Sequence, residues 1–340
     1  MQLIPRELSR SVVRLGQAAQ NALEVARFGG LETGEESTPY EVVSARRMYR
    51  LHRYGSGDAD GPRRSPVLLV PPLMLSAEIY DVSPASSAVG TLAAAGLDPW
   101  VIDFGAPERE EGGLERTLTD HVLALSEAID DLVQRTGGPV HLSGYSQGGM
   151  FCYQAAAYRR SAGIASLITY GSPVDTHGVL QLGVDDDLAV EAVDFLANKV
   201  LPYFTVPAWM SRVGFRMLDP LATVRNQVQF VLQLHDRDSL LPREGQRRFL
   251  MDEGWVAWPG PAIAELVKQF LVSNRMLSGG FVIDDQPGTL ADIDCPILCF
   301  VGSSDDIAPP EVVRAVAQAA PARSSSTPSC SPPWVSTGLP

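Results

Sequence analysis

Cysteine and histidine are scarce in this chain of 340 residues, which has four of the first and five of the second. The cysteines, at positions 152, 295, 299 and 330, have no paired Cys-x-x-Cys spacing, so neither a zinc site nor a disulfide framework is indicated. No run approaches the roughly 18 apolar residues that span a bilayer, and the N-terminus has no uninterrupted apolar stretch typical of a secretory signal. We therefore expect a protein of the reducing cytoplasm, without a metal, a prosthetic cofactor or a transmembrane segment.

Positive charge is also in short supply. Lysine and arginine together number 27 against 40 aspartates and glutamates, which gives a formal net charge of −13. Such a surface repels a phosphate backbone, which argues against nucleic acid as a partner. Hydrophobic residues make up 45% of the chain and charged residues 20%, as in an ordinary globular enzyme with one large domain or a domain and a cap.

Apolar patterning predicts the fold class. Short apolar runs alternate with segments of helical spacing, which is typical of an α/β fold with a mostly parallel sheet and helices on both faces. The predicted central strands lie at 67–70, 100–104, 139–143, 164–170 and 296–301. A further strand is predicted over 40–54. Between 173 and about 280 the strand rhythm stops, and prolines and aromatic residues punctuate a helical pattern, which indicates an inserted helical cap.

The N-terminal segment 6–28 has the spacing of an amphipathic helix. We expect its apolar face to dock on the domain, the alternative being a membrane surface. That face comprises Leu8, Val12, Leu15, Ala19, Leu23 and Ala26. The predicted division of the chain is an N-terminal helix (1–35), a core (36–175), a helical cap (176–280), the continued core (281–320) and an unstructured tail (321–340).

A Gly-x-Ser-x-Gly pattern at 144–148 follows the strand at 139–143 and precedes a segment of helical spacing. Glycines on both sides of a serine allow a sharp strand-to-helix turn that exposes the hydroxyl above a sheet. We therefore expect a nucleophile elbow with Ser146 at its apex. The backbone N–H of Gln147 would then face a developing oxyanion. The alternative is a glycine-rich turn without chemistry.

A carboxylate that could orient a base follows the last apolar strand. Asp305 and Asp306 lie at its carboxyl end, and Asp305 is the first choice, four residues before Pro309. One of the two is expected merely to cap the next helix.

The base itself is the difficulty, because an α/β-hydrolase places its histidine after the acid. All five histidines precede Asp305. His177, with Asp175, is the candidate substitute base, although a structural loop histidine is the simpler interpretation.

After Ala320 the composition changes to serine and proline without periodicity. We hypothesise that the reading frame was lost near residue 320, so that the last strand, the histidine loop and the final helix are missing. The strand at 297–301 would then be an open edge.

These segments together resemble the polyhydroxyalkanoate (PHA) synthase group of α/β-hydrolases, from about residue 66 to 316. The likeness rests on five segments, at 68–81, 144–149, 258–261, 290–297 and 302–306. It implies an acyl-coenzyme A donor, an acyl-enzyme at Ser146, Asp305 as the acid, and oxyanion N–H groups from Gln147 and the Leu73/Met74 region. The group usually has cysteine where Ser146 stands, so the resemblance favours hydrolysis or simple acyl transfer over polymerisation.

The pattern is also similar to the hydrolase-type N-terminal region of some actinobacterial acyl-CoA synthetases. The expected function is therefore that of an intracellular acyl-ester enzyme of lipid metabolism, impaired by the missing histidine. The alternative is a catalytically silent acyl-binding or scaffold domain, or a fragment of a larger synthetase. A homo-oligomer is left open.

Overall fold

The computed structural model describes residues 6–34, 36–55, 65–179, 193, 195–218, 220–303, 305, 307–320 and 324–326. Within them the core is an eight-stranded sheet with the order β1-β2-β4-β3-β5-β6-β9-β10, and a separate hairpin is formed by β7 and β8. The strands are β1 Tyr40–Ala45, β2 Arg50–Tyr54, β3 Pro66–Val70, β4 Asp98–Asp103, β5 Val140–Tyr145, β6 Ile164–Tyr170, β7 Phe281–Ile283, β8 Gln286–Gly288, β9 Ile297–Phe300 and β10 Ser324–Ser326. Strands β4, β3, β5, β6, β9 and β10 run parallel to their neighbours in the sheet. Strand β2 pairs antiparallel with β4, and β1 pairs antiparallel with β2.

Helices flank this sheet on both faces. The α-helices are α1 Arg6–Phe28, α2 Ala88–Ala94, α3 Leu118–Thr136, α4 Gln147–Tyr158, α5 Thr176–Val179, α6 Ala208–Leu218, α7 Pro220–Gln233, α8 Arg237–Arg248, α9 Gly260–Leu266, α10 Arg275–Ser278, α11 Pro310–Arg314 and α12 Val316–Ala319. All five residues of strand β3 are buried, because helices cover both faces of the sheet at this strand. Leu68 and Val70 pack in one hydrophobic cluster with residues of α3 and α4, and Val67 and Leu69 pack in another with residues of α2. The predicted α/β fold is confirmed.

The predicted strand over 40–54 is wrong in one respect, since it is two antiparallel strands. The chain reverses over Arg46–Tyr49, where the Arg46 N–H donates to the Tyr49 carbonyl at 2.8 Å. Two adjacent arginines interrupt the alternation of apolar and polar residues there, which a continuous strand would have kept.

Helix α1 has the predicted bounds, but it docks by the opposite face. Val12, Leu15 and Leu23 of the predicted docking stripe are 65%, 70% and 69% exposed. The buried side instead carries Asn21, whose amide donates to the Leu234 carbonyl at 2.7 Å. Beside it, Glu24 pairs with Arg237 of α8 at 2.6 Å. Polar contacts of this kind leave no trace in hydrophobic periodicity, so the stripe could not identify the docked face.

The edge next to β9, predicted to be open, carries a short parallel strand. The backbone of Ser324–Ser326 pairs in register with Ile297–Cys299. Pairing at an edge uses backbone N–H and C=O groups, so a run of serines satisfies it without apolar side chains. The expectation that the last strand is missing and that the tail has no structure is corrected for these three residues.

The chain between β6 and β7 is helical where it is described, as the interrupted strand rhythm predicts. It contains α5 to α10 and two π-helical segments, Phe249–Glu253 and Val267–Val272. We call this segment the insert. The exact division of the chain into domains stays a prediction. None of the helices in the described part of the chain is both long enough and apolar enough to cross a bilayer.

Candidate active site

Ser146 is the single residue between the end of β5 at Tyr145 and the start of α4 at Gln147. Its φ of 53° and ψ of −121° are values that a residue with a side chain rarely adopts, which is the backbone strain expected of a nucleophile elbow. The flanking glycines are required by close packing. A Cβ on Gly144 would lie 2.5 Å from the Gly149 nitrogen, and one on Gly148 would collide with the Val70 carbonyl oxygen.

Backbone hydrogen bonds fix this turn on both sides. The Ser146 N–H donates to the Tyr170 carbonyl of β6 at 2.8 Å, and the Ser146 carbonyl accepts from the Gly149 N–H at 3.0 Å. The N–H of Gln147, the first residue of α4, is one of the helix-terminal donors that have no acceptor within the helix. The serine therefore lies at the positive end of a helix, next to a free donor, where negative charge is stabilised.

The loop after β3 supplies few further donors. Pro71 and Pro72 have no N–H group. The Leu73 N–H donates to the side-chain oxygen Oε1 of Gln147 at 3.1 Å, and the Leu75 N–H donates to the Pro72 carbonyl at 3.3 Å. Of the two residues predicted to face an oxyanion, Leu73 therefore has its N–H engaged. Met74 has an N–H with no acceptor among the described residues.

A tyrosine hydroxyl joins this loop to the elbow. The Tyr80 hydroxyl donates to the Val70 carbonyl at 2.6 Å and accepts from the Tyr145 N–H at 3.2 Å. It completes backbone hydrogen bonding where β3 and β5 separate, directly before Ser146. Burial raises the pKa of Tyr80 well above its ordinary value, so the hydroxyl stays protonated and can donate.

The insert is paired with the same loop. The Val256 N–H donates to the Met74 carbonyl at 3.1 Å, and the Ser76 N–H donates to the Gly254 carbonyl at 2.8 Å. These two bonds form an antiparallel bridge between Leu75 and Trp255. The insert thus holds the carbonyl side of Met74, while its N–H side is left open.

Asp305 lies at the carboxyl edge of the sheet, as predicted. Its Oδ1 accepts from the N–H groups of Ile307 and Ala308 at 3.0 and 2.9 Å, which fixes the turn before α11. Its Oδ2 lies 3.2 Å from the place that a Cβ on Gly171 would take. Gly171 follows Tyr170, the residue whose carbonyl accepts from the Ser146 N–H, so the Asp305 side chain lies beside the end of β6, the strand that neighbours β5.

The Asp305 carboxylate acts on its surroundings as a charge. Burial, with this carboxylate nearby, raises the pKa of Tyr145 above its ordinary value. The Oδ1 oxygen of Asp305 therefore holds the turn before α11, and the Oδ2 oxygen lies near Gly171 at the end of β6. The runner-up acid, Asp306, lies outside the described residues.

The sequence profile described as "Alpha/beta hydrolase family" matches residues 67–336. The chain belongs to this family. It is also similar to the poly(3-hydroxyalkanoate) polymerase subunit PhaC of Thiocystis violacea, with 26% identity over 326 residues that cover 92% of this chain and 85% of the relative. PhaC of Allochromatium vinosum is 27% identical over 317 residues, which cover 89% of this chain and 82% of that protein. The chain is a PHA synthase-like α/β-hydrolase.

A solved structure shows the same fold at greater distance. The monoacylglycerol lipase of Paleococcus ferrophilus superposes with a TM-score of 0.52 and 16% identity, covering 82% of this chain and 88% of that one. At 16% identity this similarity supports the fold assignment alone.

An α/β-hydrolase of this family needs a base, and the structure directs His177 elsewhere. Its Nε2 faces the Val272 carbonyl at 3.3 Å on an exposed surface. Asp175, its proposed partner, accepts instead from the Asn274 amide at 2.8 Å. The structure therefore does not bring His177 and Asp175 together as a substitute pair.

The other histidines have partners away from the elbow. His141 faces Ser166 at 2.7 Å, His235 faces the Leu232 carbonyl at 2.9 Å, and His52 stacks on Tyr40. His121 is fully buried, with its Nδ1 2.6 Å from the Thr117 carbonyl. Burial lowers the pKa of His121 to about 4, so the ring is neutral at pH 7.

Two side chains of the site were missed from the residues alone. The sequence indicated Tyr80 only as part of the segment 68–81 that resembles the PHA synthase group, and it indicated Gln147 only for its backbone N–H. The Pro-Pro pair is a sequence signal for the donors of this loop. Because proline has no N–H, any backbone donor here must come from the residues that follow the pair. The side-chain contact of Gln147 crosses 74 residues of sequence and has no local signal.

Proposed function

We propose that this chain is an acyl-transferring or acyl-ester-hydrolysing enzyme with Ser146 as nucleophile. The observation that carries the proposal is the geometry of Ser146, strained at φ 53° between β5 and α4, together with the N–H groups of Gln147 and Met74, which have no acceptor among the described residues. A serine in that position, at a helix N-terminus, is the arrangement that acyl transfer requires. Similarity to PhaC over nine-tenths of the chain supports the same reaction class.

The substrate we propose is a coenzyme A thioester or an ester of a 3-hydroxyacyl group, because the relatives are poly(3-hydroxyalkanoate) polymerases by name. The Ser146 Oγ–carbon bond forms as the carbon–sulfur bond breaks. The proton of the hydroxyl leaves through solvent to the departing thiolate. Water or a small alcohol then attacks the oxygen ester, releases the acyl group and returns the proton to Ser146.

Asp305 is proposed as the acid of this site, and the reaction is expected to be slow because every histidine precedes it in the chain. A serine without its base loses several orders of magnitude in rate. We place the protein in the cytoplasm, which is consistent with free thiols at Cys152, Cys295 and Cys299.

One observation favours a second function, a catalytically silent acyl-binding or scaffold domain. His177, the predicted substitute base, has its Nε2 3.3 Å from the Val272 carbonyl and makes no hydrogen bond to Ser146 among the described residues. A chain with the elbow but without a base can still bind an acyl group without turning it over.

A serine-directed fluorophosphonate probe separates the two functions. We expect labelling of the tryptic peptide that contains Ser146, together with release of coenzyme A from a 3-hydroxyacyl-CoA. The Ser146→Ala variant should lose both, and the matched Ser278→Ala variant, which alters an exposed serine of α10, should keep both. An unlabelled wild-type chain that still binds the thioester would favour the silent domain.

A further inference from the structure

The side chain of Gln147 makes a contact that the start of a helix does not require. Residue 147 is 6% exposed, and its Oε1 accepts the Leu73 N–H at 3.1 Å. This bond joins the residue after the nucleophile to the loop after β3. The two parts of the chain that would surround an oxyanion are thereby held together by one side chain.

The position of this bond matters because of what it leaves open. Leu73 is held at its N–H by Gln147, and Met74 is held at its carbonyl by Val256 at 3.1 Å. The peptide unit between them carries the Met74 N–H, which has no acceptor among the described residues. Holding the peptide units on both sides restricts the orientations that are open to the one in the middle.

We propose that the Gln147 side chain is a positioning residue that directs the Met74 N–H as the second oxyanion donor, beside the N–H of Gln147 itself. The inference rests on the proposed function, in which Ser146 forms an acyl-enzyme. Gln147 then contributes twice, through its backbone as a donor and through its side chain as the anchor of the other donor. The insert contributes to the same donor through Val256.

The other end of the same amide indicates that the contact is not kept for stability. The Gln147 Nε2 is buried and has no hydrogen-bond partner in the described structure. A buried donor without an acceptor is destabilising, which offsets what the bond to Leu73 contributes. A methionine of similar shape would remove the unpaired donor while leaving the Leu73 N–H without an acceptor. We therefore expect the free energy of unfolding to change little in Gln147→Met.

The test compares Gln147→Met with Gln154→Met. Gln154 is also buried in α4, but its amide donates to the Met150 carbonyl of its own helix at 3.2 Å. The two variants therefore share the substitution, the helix and the burial. Stopped-flow acylation by a p-nitrophenyl acyl ester gives the acylation rate constant and the ester Kd separately.

Loss of one oxyanion donor typically costs about 10²–10³-fold in rate, and a donor that is only misdirected costs less. For Gln147→Met we expect the acylation rate constant to fall by roughly tenfold to a hundredfold, with the ester Kd within about twofold of wild type. Gln154→Met should keep both. Gln147→Ala, measured in parallel with urea unfolding of every variant, provides a second test if the methionine variant does not fold.

An unchanged acylation rate constant in folded Gln147→Met or Gln147→Ala would overturn the inference alone. The same holds for a loss confined to the Kd, or for an equal loss in Gln154→Met. A wild-type chain that takes no acyl group at Ser146 would overturn the proposed function and the inference together, so the two failures are distinguishable.

Discussion

The Tyr80 hydroxyl donates a hydrogen bond of 2.6 Å to the carbonyl oxygen of Val70, the last residue of β3. The hydroxyl oxygen of Tyr80 also accepts a hydrogen bond of 3.2 Å from the N–H of Tyr145, one residue before the strained serine. The two strands β3 and β5 therefore separate at the edge of the candidate site without leaving these backbone groups unpaired. The separation of β3 and β5 is stabilised by a side chain from the loop that follows β3.

Removal of the Tyr80 hydroxyl should lower the free energy of unfolding. In Tyr80→Phe, the buried Val70 carbonyl and Tyr145 N–H lose their partner, which costs about 1–3 kcal/mol in the free energy of unfolding. Urea denaturation followed by tryptophan fluorescence measures the difference. Tyr54→Phe is the control, because Tyr54 is also buried while its hydroxyl makes no hydrogen bond within the described chain. Equal losses in the two variants would contradict the role assigned to the Tyr80 hydroxyl.

Replacement of Ser146 by cysteine should reveal the electrostatics of the elbow. A thiol at the N-terminus of α4 faces the positive end of the helix, so its pKa should fall below the ordinary value of about 8.5 even without a histidine. The pH dependence of iodoacetamide alkylation in Ser146→Cys, followed by mass spectrometry, measures that pKa. A midpoint at or above 8.5 would mean that the helix does not stabilise charge at this position.

The native thiols provide the internal control for that measurement. Burial raises the pKa of the Cys152 and Cys299 thiols, so neither should react in the same pH range. Cys330 lies outside the described residues, and the experiment is therefore made in a Cys330→Ser background.

Added imidazole should stimulate the proposed acylation of Ser146 in the wild-type chain. With every histidine before Asp305 in the chain, an imidazole in solution can act as the base that accepts the Ser146 proton. We expect the acylation rate to rise with imidazole concentration and to follow the neutral form of imidazole as the pH is varied.

The control for this rescue is Asp305→Asn. An asparagine oxygen can still accept from the Ile307 and Ala308 N–H groups, so the turn before α11 should persist while the charge is lost. We expect the stimulation by imidazole to fall by about tenfold or more in this variant, because imidazolium is no longer stabilised. Equal stimulation in both proteins would remove Asp305 from the site.

His121 makes stability depend on pH. Burial lowers the pKa of His121 from 6.5 to about 4 in the folded chain, so between these values the unfolded state binds more protons than the folded state. Stability contributed through this group is therefore complete above pH 6.5 and is lost as the pH falls towards 4. The loss amounts to about 3 kcal/mol over this interval.

Comparison with His121→Phe isolates this contribution. The ring packs against both Phe104 and Phe151, with centroid distances of 5.0 and 6.1 Å, so phenylalanine fits the aromatic surroundings. The difference in unfolding free energy between wild type and variant should be constant above pH 7 and should shift in favour of the variant below pH 6. Parallel curves from pH 4 to 7 would show that the histidine titrates normally.

Sequence patterns predicted the central strands well because strands covered on both faces, such as Pro66–Val70, must be apolar throughout. The elbow was predictable for a similar reason, since only glycine fits where the Cβ positions of residues 144 and 148 would lie. The docked face of α1 was not, because Asn21 and Glu24 bind through polar groups. The contact between Gln147 and Leu73 belongs to the tertiary fold, and periodicity carries no record of it.

Helix α1 is attached by amide and ion-pair contacts in addition to the apolar packing of Ala18 and Val25 against Leu31, Leu234 and Leu240, and the polar part has a consequence for how the molecule unfolds. Attraction between Glu24 and Arg237, at 2.6 Å, is screened by dissolved salt, whereas the apolar sheet core is not. A rise in ionic strength should therefore loosen the N-terminal helix while the central sheet stays intact. The first event on the way to unfolding would be a salt-induced weakening of the contact between α1 and α8, with the turn at Ser146 still in place.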